Sequence, residues 1–99
     1  MPKHDVYVAV AGKWFLLDVQ TDLLIGIATR VMVPLLPRPF PIVPAQRLNP
    51  IFQVAYQDCV MATQSLVAIP AGLLKSPVAS LAARSDEITD ALDMLLQGF

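Results

Sequence analysis

Between residues 34 and 50 the chain carries six prolines in 17 residues. Each one fixes φ near −65° and removes a backbone donor, so no helix and no central strand survives that density. The segment predicts a stiff, extended loop of polyproline character, with regular structure on either side of it. Pro34, at its start, belongs near a strand end, an edge or a bulge. A proline-rich recognition ligand is the sharper reading of such a run. Leu35, Leu36, Phe40, Ile42 and Val43 favour packing against the domain instead.

The flanking sequence reads mainly as β. Residues 4–10 hold Val6, Tyr7, Val8 and Val10, followed by Ala11-Gly12-Lys13 as a turn in which Gly12 takes a positive φ. Residues 14–19 form the second strand of that hairpin. Residues 18–22 are polar and open a loop, which Leu23, Leu24, Ile25 and Ile27 then make apolar around Gly26. An apolar loop is unusual: it either packs over one end of a barrel or belongs to a partner surface. Residues 30–35 read as a third strand. Residues 51–56 and 59–63 form a hairpin joined at Gln57-Asp58, without the Asn-Gly or Asp-Gly that would fix its register. Residues 66–70 make a further short strand, and Ser76-Pro77 starts one helical turn.

The end of the chain reads as a helix. Ser85 is the candidate N-cap, and Asp86 and Glu87 place negative charge at the positive end of the helix dipole. Ile88, Ala91, Leu92, Leu95 and Leu96 recur as one apolar stripe, with Asp90, Asp93 and Gln97 on the wet face. Gly98 sits where a helix terminates.

Composition narrows the function. The 99 residues are 56 % apolar and 15 % charged, which excludes a disordered chain. One domain spans residues 1–99. So apolar a small chain predicts a surface covered by another chain, most simply in a homodimer. A net charge of −1 leaves no footprint for direct nucleic-acid binding. The single cysteine, Cys59, excludes an internal disulfide and fits a reducing cytoplasm. Residues 1–5 carry no signal-peptide core. The longest uncharged stretch, residues 59–74, is 16 residues long, below the roughly 20 of a membrane span. These features predict a cytoplasmic protein with no membrane contact.

Catalytic chemistry is scarce. His4 is the only histidine and sits near a terminus that would fray, so it reads as a surface residue. No Cys/His cluster offers a metal site, and four scattered glycines form no phosphate loop. Cys59 reads as a buried structural thiol. The acids of the final helix read as a solvated face. The chain therefore predicts a binding protein without cofactor, not an enzyme. A helix anchored by Leu92, Leu95 and Leu96 would hold Gly98 and Phe99 at a fixed tip, and aromatics are frequent interface anchors. The alternative is that Phe99 folds back onto the body.

Several of these segments together resemble the CcdB family, the plasmid- and chromosome-borne toxins that poison bacterial DNA gyrase. They are Val6-Tyr7, residues 15–24 (Phe-Leu-Leu-Asp-Val-Gln-Thr-Asp-Leu-Leu), residues 30–35 (Arg-Val-Met-Val-Pro-Leu), residues 61–63, residues 67–70 and the closing helix with Gly98-Phe99. The most specific piece is residues 18–24, close to the family's Asp-Val-Gln-Ser-Asp followed by two aliphatics. The resemblance implies an α+β, mainly β fold: a small SH3-like, CcdB-type barrel sheet with a long C-terminal helix, in a homodimer. It implies the toxin of a type II toxin–antitoxin system, serving plasmid maintenance. Such a toxin binds the gyrase A subunit, traps the enzyme on cleaved DNA and is neutralised by a CcdA-like antitoxin. Carried over residue by residue, gyrase contacts fall on Thr21, Leu23 and Leu24 in the loop and on Asp93, Leu96, Gln97, Gly98 and Phe99 at the helix end. The chain departs from the family at that tip: Gln97 replaces a stacking aromatic, Phe99 a terminal aliphatic and Asp93 an asparagine. Losing an aromatic anchor costs at least ~2 kcal/mol, about thirtyfold in affinity. The competing readings are an endoribonuclease toxin of the MazF type on a related fold, and a non-toxic dimeric domain that only binds antitoxin.

Overall fold

The computed structural model describes residues 2–9, 12–24 and 26–98. Its strands, in chain order, are β1 (Asp5–Val8), β2 (Phe15–Asp18), β3 (Thr29–Pro37), β4 (Ile51–Val54), β5 (Gln57–Met61), β6 (Val67–Pro70) and β7 (Ala79–Ser80), followed by helix α1 (Ser85–Gln97). Their spatial order is β4-β5-β3-β2-β1-β7, with β6 beside β3, and the pairings are antiparallel. The sheet is nearly closed and barrel-like, giving the α+β, mainly β architecture that the sequence predicts.

Strand β3 organises this sheet. One edge pairs with β2 through residues 32–35. The other edge is divided, with residues 29–32 against β6 and residues 35–37 against β5. Pro34 stands at the changeover. On that edge the Ala28 carbonyl accepts from Ala71 N–H at 2.8 Å and the Pro34 carbonyl from Ala62 N–H at 2.9 Å, so the donor that Pro34 lacks falls in the gap between two partner strands. This corrects the expectation of a strand end, an edge or a bulge at Pro34, which pairs with Leu16 in regular register. It is buried inside a central strand, and the proline-rich loop begins only after Pro37.

Alternation along the strands builds two apolar faces. Val6, Leu17, Val33 and Leu35 point to one side, with Phe52, Val54, Cys59 and Met61, and meet Leu81, Ile88 and Ala91. That is how α1 is attached, and burying a side chain such as Ile88 contributes about 1.5–3 kcal/mol. Tyr7, Ala9, Leu16 and Met32 point to the other side, where Trp14, Ile69 and Leu74 cover them in part. Leu35 is buried and Leu36, Phe40 and Ile42 half-buried, as their packing role predicts, but Val43 is exposed. Cys59 is buried, and that burial pushes its thiol above the ordinary value.

Several local expectations are corrected. The β4–β5 turn is Ala55-Tyr56, not Gln57-Asp58. Both residues have positive φ, 49° and 65°, as the primed hairpin turns require, and Gln57 and Asp58 already belong to β5. Ser76-Pro77 starts no helical turn; a short 3-10 turn occupies Ala71–Leu73 instead. Ser85 is not the cap of α1: a 3-10 turn, Ala82–Arg84, leads directly into the helix, and Arg84 takes the cap position without a side-chain hydrogen bond. Arg84 instead pairs with Glu87 at 2.8 Å and covers the Phe52 ring. Gly12 adopts the positive φ expected of it, 71°; Val10 and Ala11 of that hairpin lie outside the described residues. No helix among the described residues is long and apolar enough to cross a membrane.

Candidate functional site

The residues singled out from the sequence fall in two places: the β2–β3 connection and the end of α1.

The connection starts from a buried polar knot. Asp18 was expected to open the loop, but it is the last residue of β2 and is fully buried. Burying a carboxylate is costly unless it is paired and hydrogen-bonded. Arg30, also buried, supplies the pair: Nε reaches Asp18 Oδ2 at 2.9 Å and Nη2 reaches Oδ1 at 3.0 Å. Gln20 N–H donates to Asp18 Oδ1 at 3.0 Å. Burial raises the Asp18 carboxyl above its ordinary value, against the pull of Arg30 and of the Gln20 amide. The buried Gln20 side chain turns back on β3, and its Oε1 accepts from Val31 N–H at 3.0 Å. Further out, Asp22 Oδ1 lies 3.7 Å from Arg30 Nη2 and accepts from Lys3 N–H at 2.8 Å.

The next residues of the connection are exposed. Thr21 Oγ1 accepts from Leu23 N–H and Thr21 O from Leu24 N–H, both at 3.3 Å. This tight turn leaves the Leu23 side chain 90 % exposed, with Leu24 and Ile27 close to half exposed. Leu23, Leu24 and Ile27 therefore do not pack over a barrel end within this chain. Leu24, Gly26, Ile27 and Arg30 instead line an open cavity of about 390 Å³. Ile25 lies outside the described residues.

At the other place, α1 buries only Ile88 and Ala91 completely. Leu92 and Leu95 are half-buried, and the stripe ends there: Leu96, expected to be an anchor, is 72 % exposed. Leu96 and Gln97 therefore project from the last turn into solvent. Asp93 is half-buried and Gln97 exposed. Gly98 closes the helix with φ 80°, its N–H donating to the Asp93 and Met94 carbonyls at 3.1 and 3.2 Å. A left-handed cap of this kind suits glycine because it has no Cβ. Phe99 lies outside the described residues. Arg47, from the proline-rich segment, grips the flank of α1 through Asp90 at 2.7 and 3.0 Å and holds the Asp90 carboxyl below its ordinary value.

The structure thus gathers Thr21, Leu23 and Leu24 in one loop and Asp93, Leu96, Gln97 and Gly98 on one helix end. Among the described residues no hydrogen bond or ion pair joins the two groups. What the sequence analysis missed is the knot of Asp18, Gln20 and Arg30. The signal was there in two polar residues, Asp18 and Arg30, bracketing the loop at positions that alternation turns inward. His4 is also corrected. It is buried, not surface, because its backbone N–H donates to Asp18 O at 2.7 Å and its carbonyl accepts from Leu81 N–H at 2.9 Å. Burial, and then Lys3, holds its imidazole below the ordinary value, against Asp18 and Asp22.

Chemically, the exposed groups suit binding: aliphatic side chains on a turn, and a capped helix end. The family model described as CcdB protein matches residues 3–98. No curated protein matches the chain.

Proposed function

The chain belongs to the CcdB family, and from that premise we propose that it is the toxin of a toxin–antitoxin pair, acting as a homodimer on the A subunit of DNA gyrase. In this reading residues 1–99 act as one domain. Thr21, Leu23 and Leu24 from the loop and Asp93, Leu96, Gln97, Gly98 and Phe99 from the helix end meet gyrase and hold it in its cleavage complex. A CcdA-like antitoxin releases it. The supporting observation is the projection of large aliphatic side chains from both places, Leu23 and Leu96 above all. Such groups left in water are used when a partner covers them. Among the described residues the two groups do not bond to each other, and a two-fold dimer provides a way to bring the loop of one copy towards the helix end of the other.

Gln97 has no ring to stack, so binding rests on aliphatic area from Leu23, Leu24 and Leu96 together with Phe99. Induction in a sensitive bacterium tests the proposal. The expected result is arrested growth with accumulation of covalent gyrase–DNA complexes, relieved by co-expression of the antitoxin. Continued growth with unaltered supercoiling at high dimer concentration would overturn it. Degraded cellular RNA without cleavage complexes would point to the endoribonuclease reading.

A further inference from the structure

In an antiparallel ladder, a hydrogen-bonded pair exchanges two bonds, each residue giving N–H to the other's carbonyl. Val31 is opposite Val19, one step beyond the last β2–β3 pair, Asp18 and Met32. Only half of the exchange is a backbone bond: Val19 N–H donates to Val31 O at 3.1 Å. The other donor, Val31 N–H, goes to the Gln20 side chain, Oε1 at 3.0 Å. The amide nitrogen of the same side chain, buried, has no acceptor among the described residues. The oxygen is therefore the working end, and its assignment is fixed because Val31 N–H can only meet an acceptor.

We infer that Gln20 is a positioning residue for the loop: its side-chain oxygen takes the place of the Val19 carbonyl as acceptor, ends the β2–β3 ladder at that step and sends the chain outward into the Thr21 turn. Backbone and side chain of Gln20 are held from three directions, since Gln20 N–H is bound to Asp18 and Gln20 O lies 3.4 Å from Arg30 Nη2. With the side-chain acceptor removed, Val31 N–H has two outcomes. It stays unpaired in a half-buried place, or it takes the Val19 carbonyl and draws the ladder one step further. The second outcome keeps the fold and shifts Thr21, Leu23 and Leu24. Gln20 touches no partner in this account; it acts through the residues that follow it. The inference rests on the loop's role in the proposed function only where gyrase affinity is the readout.

Two measurements test it. On the unaltered protein, through-hydrogen-bond NMR coupling identifies the acceptor of Val31 N–H. Coupling to the Gln20 side-chain carbonyl carbon is expected, and coupling to the Val19 backbone carbonyl overturns the inference. The second uses Gln20→Met, close in shape but without the oxygen. The amide shifts of Thr21, Leu23 and Leu24 should move, the affinity for a gyrase A fragment should fall at least about tenfold, a loss typical of one misplaced contact cluster, and antitoxin affinity and thermal midpoint should be nearly unchanged. Unmoved loop shifts in Gln20→Met overturn the inference. So does a loss of gyrase affinity matched by equal losses of antitoxin affinity and stability. If the unaltered protein binds no gyrase, the proposed function fails while the coupling and the loop shifts still decide the role of Gln20.

Discussion

Helix α1 presents its end by hydrophobic burial, whereas the β2–β3 loop presents its leucines from a buried polar knot. The helix is held by Ile88 and Ala91 against the sheet core, non-directional contacts that tolerate small shifts along the axis. The loop is held by Asp18, Gln20 and Arg30, whose hydrogen bonds fix angle as well as distance. A binding surface assembled from both combines an element that can adjust with one that cannot. Damage to the helix anchor should therefore loosen the whole fold. Breaking the Asp18–Arg30 pair should destabilise the protein, whereas loss of the Gln20 acceptor should misdirect the loop with little change in stability.

The largest effect is expected from Asp18→Ala, which removes the buried, bidentate carboxylate of Arg30 and leaves it the exposed Asp22 at 3.7 Å. Breaking such a pair costs about 3–5 kcal/mol, and chemical denaturation should read it. Retention of full stability would show that the knot is ornamental and sink the comparison. Ile88→Ala follows at about 2–5 kcal/mol, from lost burial plus the cavity left behind. Its signature is a lower thermal midpoint with loop amide shifts unchanged.

Deleting residues 98–99 should abolish binding to the gyrase A fragment and leave the fold intact. A marked fall in melting temperature would mean that Phe99 belongs to the body of the protein. A smaller, pH-dependent effect belongs to His4. Its imidazole is held below the 6.5 of the free side chain, so as pH falls the unfolded chain takes the proton first. That contribution to stability is complete above pH 6.5 and declines on acidification below it. His4→Gln should flatten the profile in that range. The least is expected of Arg47→Ala: its exposed pair with Asp90 should produce no resolvable change in thermal midpoint, because surface pairs are screened by water.

The helix was the more legible of the two regions. Its stripe at residues 88, 91, 92 and 95 is written in the 3.6-residue period, and Gly98 marks its end. Leu96 fits the same spacing, yet it lies at the margin of the stripe and is exposed; spacing alone does not say where the buried face ends. The loop was legible only as an oddity, apolar where water was expected. Its cause lies in polar side chains that look like surface residues until the pairing of β2 with β3 turns them inward. His4 failed for the same reason: proximity to the end of the chain suggested fraying, but two backbone bonds to Asp18 and Leu81 tie it down. The hairpin turn at Ala55-Tyr56 escaped notice because neither residue ordinarily favours positive φ.

Pro34 has a further consequence. Because β3 lacks a donor at one point on the edge it shares, neither β5 nor β6 can creep along it past that point without leaving an acceptor stranded. A slip by two residues toward that point, which would preserve side-chain facing and so escape hydrophobic penalty, is opposed for either neighbour. The imino ring thus marks the point on one edge of β3 where the pairing of one neighbour stops and that of the other begins.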